Sequence, residues 1–147
     1  MNSENQIFVF ATTQDGTSAS LRHAAALVGK TGARVVILVA HVVDHGSPLN
    51  GAITPADVEA LSAPYRALAA RIGLDVHVRC ASAREAKHLP GRLLLVRAHI
   101  IVGGLQRGWR ATAEQQLARD LTCEGHRVTF IDVKSGQPTG VGVAVPA

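Results

Sequence analysis

The densest group of chemically useful residues is the stretch GGLQRGWRAT, from Gly103 to Thr112. Gly103, Gly104 and Gly108 let backbone N–H groups come close to a ligand. Arg107 and Arg110 carry forked guanidinium donors that match phosphate oxygens. Thr112 opens a helical pattern, and a helix amino terminus adds partial positive charge. These residues describe an anion cradle. The alternative is a turn that needs its glycines, flanked by solvated arginines. Trp109 suits packing over a ligand base, covering a sheet end or standing at a contact surface, and its neighbours do not choose among these.

A second group follows the first apolar run: Thr12, Thr13 and Asp15, with Gly16 completing an Asp-Gly turn over Thr13 to Ser18. Asp15 is suited to a ribose hydroxyl or a metal-bound water, and equally to accepting local backbone hydrogen bonds. Ser18 and Ser20 read as helix-start residues, because no spacing supplies a paired base. His41 and His45 have a ligand-like spacing, but they leave a strand for a loop and no cysteine or glutamate cluster joins them. No metal site is expected. Cys80 and Cys123 make no disulfide framework and read as small apolar residues with reduced thiols, which points to a cytoplasmic protein.

The elements that must position these residues follow from hydropathy period. Strands are predicted at Ile7–Thr12 (IFVFAT), Arg34–Val43, Leu74–Cys80, His99–Gly103 and Arg127–Val133. Helices are predicted over Ser18–Lys30, from Thr54-Pro55 to Ile72 with Pro64 inside, from a capping box at Ser82-x-x-Glu85, and from Thr112 through Leu117 and Leu121. Strands alternating with helices argue for parallel βαβ units with right-handed crossovers.

Strand patterns also predict the order. Strands one, two and four are continuously apolar, as expected for strands covered on both faces. Strand three alternates, with Val76, Val78 and Cys80 against His77 and Arg79, and strand five alternates in part. Three and five are therefore expected at the edges. The expected fold is α/β: an open five-stranded parallel sheet in the order 3-2-1-4-5, with helices on both faces. Winding then reverses between strands one and four, and ligands of such sheets bind beyond the carboxyl ends at that switch point. Both residue groups lie there.

The remaining composition narrows the function. The chain has 147 residues, which suits one domain over 1–134 with a tail at 135–147, flexible or adding a strand to an edge. The net charge is +4, but the basic residues are scattered, and aromatics make up only 3%, so there is neither a phosphate-tracking surface nor a stacking platform for nucleic acid. The longest uninterrupted apolar run, Val35 to Ala40, falls well short of the ~20 residues of a membrane span. No basic-then-apolar leader opens the sequence.

The segment DGTSASLRHAAAL, Asp15 to Leu27, resembles the opening motif DGSxxSxxAxxxA of universal stress proteins. HIIVGG at His99 to Gly104, followed by a helix and HRVTFIDV at His126 to Val133, is similar to that family's fourth strand, nucleotide loop, last helix and final strand. The resemblance runs from about Ile7 to Val133. It implies a Rossmann-like fold and a regulatory protein, not an enzyme, that binds ATP or another adenine nucleotide. Adenine would lie against strand two near Val39 and the end of strand one at Thr12 and Thr13. Phosphates would meet Gly103, Gly104, Arg107, Gly108, Arg110 and Thr112. Two residues, Thr13 and Gln14, are extra before Asp15, which puts Thr12 in the family's aspartate place. A homodimer would form through the strand-five edge at Val128, Phe130 and Ile131.

The family's glycine pattern, counted from Gly103, meets Gln106 and Gln116 where glycines are expected. The loop is closer to those of universal-stress modules attached to potassium-sensing histidine kinases and ion transporters. This supplies a second expectation, a ligand-free interaction module that homodimerises or docks on a transporter or kinase. The His-x-Gly-His and Ser-Gly-Gly-x-Asp-Ser loops of nucleotidyl transferases with a related fold do not follow strand one.

Overall fold

Alternate residues of each central strand face opposite layers, and burial sorts them into two apolar clusters. The computed structural model describes residues 6–42, 55–83, 99–105 and 112–139. Five parallel strands form the sheet: β1 (Gln6–Phe10), β2 (Arg34–Val42), β3 (Val76–Ala83), β4 (His99–Gly104) and β5 (Arg127–Asp132). They are joined in the order β3-β2-β1-β4-β5, as the hydropathy patterns predict. Helices α1 (Gln14–Thr31) and α2 (Pro55–Ile72) cover one face, and α3 (Ala113–Cys123) covers the other.

The first layer joins Ile7 and Val9 of β1 with Val35, Ile37 and Val39 of β2, Ile101 of β4, and Leu21, Ala24 and Leu68 from the helices. The second joins Phe8, Phe10, Val36, Leu38, Ile100, Val102 and Phe130 with Ala118 and Leu121 of α3. Phe8, Phe10 and Phe130 are almost wholly buried, and each such side chain contributes about 1.5–3 kcal/mol. Gly32 ends α1 in the left-handed conformation (φ 70°), its N–H donating to the Val28 carbonyl.

Four local expectations are corrected. α1 begins at Gln14, not Ser18, because the Thr13 side chain accepts from Gly16 N at 3.0 Å and so caps the helix where an Asp-Gly turn was expected. β4 runs on through Gly104, which pairs with Asp132. β3 runs past the expected end at Cys80 to Ala83, with Ser82 opposite His41. β5 is not the sheet's edge. After a turn held by Gly136 N donating to Asp132 O at 2.7 Å, a short antiparallel strand β6 (Pro138–Thr139) pairs with Ile131 and Phe130.

The helix expected after Ser82-x-x-Glu85 and the tail Val141 to Ala147 lie outside the described residues, as do Thr54 and His45. Among the described residues, no helix is long and apolar enough to cross a membrane, and no group of three His, Cys, Asp or Glu side chains is placed to hold a metal.

Candidate functional site

β1 and β4 are parallel neighbours, with Phe10 opposite Val102. The chain leaves them toward different sides: β1 feeds α1 on one face and β4 feeds α3 on the other. Both helices therefore begin beyond the same pair of strand ends. The first N–H groups of any helix lack intrahelical acceptors, so this crevice has the positive ends of two helices.

Thr12 ties the strand ends together. Its hydroxyl donates to the Gly103 carbonyl at 2.6 Å, and its backbone N–H donates to Thr17 Oγ1 at 3.0 Å. Thr17 is fully buried. In the first turn of α1, Gly16 lies directly against Gly103. A Cβ added to Gly16 would fall 2.6 Å from Thr12 Oγ1 and still closer to the Gly103 carbonyl oxygen. A Cβ on Gly103 would strike the Gly16 carbonyl and lie 2.6 Å from Ser20 Oγ. These two glycines serve a backbone-to-backbone contact, a different use from the flexible cradle expected of Gly103. Ser20 is fully buried, and its Oγ has no hydrogen-bond partner among the described residues.

On the other side, α3 opens with a closed cap. Gln115 N donates to Thr112 Oγ1 at 3.2 Å, and Thr112 N donates to Gln115 Oε1 at 2.9 Å, forming a capping box. The Thr112 hydroxyl also donates to the Leu105 carbonyl at 2.8 Å, fixing α3 to the end of β4. Glu114, in the first turn, lies along Gly104.

The predicted residues therefore divide. Thr12, Gly103, Gly104 and Thr112 converge on the strand ends. Thr13 is the cap of α1, and Asp15 is exposed in that helix's first turn, next to Gly16 in sequence. Val39 is only 4% exposed and belongs to the core beneath α1 and α2. Arg107, Gly108, Trp109 and Arg110 lie outside the described residues. Phe130 and Ile131, expected at a subunit contact, are buried in the chain's own core, and β6 pairs with their backbone; Val128 is part-buried.

Sequence reasoning placed Gly16 in a turn and Ser20 at a helix start, and did not foresee that both meet Gly103. Gly16 is detectable as a glycine within the first turn of a helix, a place where it otherwise weakens the helix. Away from this crevice, a groove of about 550 Å³ lies between the amino ends of β2 and β3, lined by Val28, Val35, Leu74, Val76 and neighbouring residues.

No protein-family model matches the chain, and no curated protein matches it. Solved structures share its fold. A universal stress protein in complex with cAMP is 14% identical, with a TM-score of 0.57 over 87% of this chain and 96% of that one. The universal stress protein from Archaeoglobus fulgidus in complex with dAMP is 14% identical, with a TM-score of 0.53 over 85% and 95%. A universal stress family protein from Burkholderia pseudomallei is 17% identical, with a TM-score of 0.51 over 89% and 98%. The chain has the fold of the universal stress proteins.

Proposed function

We propose that the chain is a universal-stress-type regulatory protein that binds an adenine nucleotide in the crevice between β1 and β4 and acts by binding, without turnover. The observation that carries this is the Gly16–Gly103 contact beside Thr12, which brings the start of α1 against the end of β4. Parallel sheets bind ligands where the winding reverses. Two proteins of the same fold, both near 14% identity, are complexes with cAMP and with dAMP. Free thiols at Cys80 and Cys123 support a reducing, cytoplasmic setting.

Calorimetric titration of the folded chain with AMP, cyclic AMP and ATP tests this reading. Heat saturating at one ligand per chain is expected, and no heat at millimolar ligand overturns it. Mass spectrometry of small molecules released from the purified protein should show an adenine compound.

A second reading is a ligand-free module that assembles with another protein. It is favoured by the Gln106 and Gln116 departures from the glycine pattern. An empty small-molecule extract together with a stable dimer in light scattering would support it. Assembly on the β5 side would use Val128 and β6, since Phe130 and Ile131 are already buried.

A further inference from the structure

We propose that the chain forms a homodimer through β3, two copies pairing antiparallel about a two-fold axis at His77. This stands apart from the nucleotide reading and does not depend on it. The two edges of the sheet differ. On one side β6 ends the sheet with two residues, one of them Pro138, and a short strand bearing proline is a poor template for another chain. On the other side β3 runs for eight residues without proline or glycine, and among the described residues nothing pairs with its outer edge. An unpaired edge of that length is a template for a further strand.

The side chains select the partner and the register. Leu74, Val76, Val78 and Cys80 pack against the core but stay only part-buried, so the apolar layer ends unfinished at this edge. Asp75, His77 and Arg79 alternate with them and are exposed. Among the described residues neither Asp75 nor Arg79 has an ion-pair partner. They lie four positions apart, about 13 Å along an extended chain, too far to pair with each other within one copy. A two-fold axis normal to the sheet keeps each face on its own side, so the pairing is centred on a residue. Centred on His77, it sets Asp75 opposite the partner's Arg79 twice over. It also sets Val76 opposite the partner's Val78, which joins the two apolar layers. Centred on Val78, it sets His77 opposite the partner's Arg79. Centred on Arg79, it sets two guanidinium groups face to face. Opposite charges across a strand pair stabilise it and like charges destabilise it, so the fixed charges choose the first register. Because this edge complements itself in charge, its occupant is a second copy of the chain.

Sedimentation equilibrium of the full-length folded chain tests this. A dimer is expected, and Asp75→Arg or Arg79→Asp should each weaken it by about tenfold. The double variant D75R/R79D exchanges the two charges and should return the affinity to within about threefold of native. A monomeric native chain, single variants that leave the dimer unchanged, or a double variant no better than the singles each overturn the proposal. Should a variant fail to fold, amide hydrogen exchange of the native chain decides. Protection along Val76 to Val78 should rise with protein concentration, and protection independent of concentration overturns the proposal. None of these readouts involves a nucleotide, so this proposal and the nucleotide reading fail separately.

Discussion

The hydroxyl of Thr12 donates to the carbonyl of Gly103 across 91 positions of sequence, closing the end of β1 onto the end of β4 at 2.6 Å. It is a short bond at the point where the sheet reverses its winding. It also means that the Thr12 hydroxyl proton is already committed.

Replacing Thr12 by valine keeps the shape and removes the donor, leaving the Gly103 carbonyl without its hydroxyl partner. The variant should lose about 1–3 kcal/mol of stability. Urea denaturation checks this, with the slope unchanged and the midpoint lowered.

Gly16→Ala and Gly29→Ala should act in opposite directions, although both glycines lie in α1. At Gly16 the new carbon meets the Gly103 backbone, which cannot rotate aside, so a loss of about 1–3 kcal/mol or more is expected. Among the described residues nothing lies within 4 Å of a Cβ at Gly29, and alanine there should stabilise by about 0.4–1 kcal/mol. Thermal melts of the two variants should bracket the native chain.

Phe130→Ala should unfold the chain at lower denaturant by about 3–5 kcal/mol, because Phe130 packs among Phe8, Phe10 and Leu121. That shift should be the same at low and high protein concentration. A change in subunit association alone, with the unfolding midpoint intact, would contradict the burial.

Stability should fall on acidification. Burial pushes the His99 imidazole below the ordinary histidine value of 6.5, with Arg127 and His23 acting in the same direction. Burial also lowers His126, against a smaller opposing pull from Glu124. Unfolding restores both to the ordinary value, so below about pH 6.5 the unfolded chain binds more protons than the folded one. This contribution is intact above pH 6.5 and is lost as the pH falls through the window beneath it. Denaturation midpoints at pH 7.5 and 5.5 should differ, and the double variant His99→Gln/His126→Gln should narrow the difference.

Strand order was legible because exposure leaves a period-two trace. His77 and Arg79 alternate with Val76, Val78 and Cys80 only because one face of β3 is not covered as β1 is. The start of α1 was not, since Asp15-Gly16 is locally a good turn and becomes a helix only through the Thr13 cap and the tertiary seat of Gly16 against Gly103. Ser82-x-x-Glu85 reads as a cap over four residues, but pairing of Ser82 with His41 carries β3 on to Ala83. β6 has two residues, one of them proline, too few to show any period.

The seat between Gly16 and Gly103 has a consequence for how this chain can change over generations. Most packed pairs drift by compensation: one partner grows while the other shrinks. Here both partners are already the smallest residue that exists, so a gain of one carbon on either leaves nothing on the other to give up. Variation at the two positions is closed in both directions.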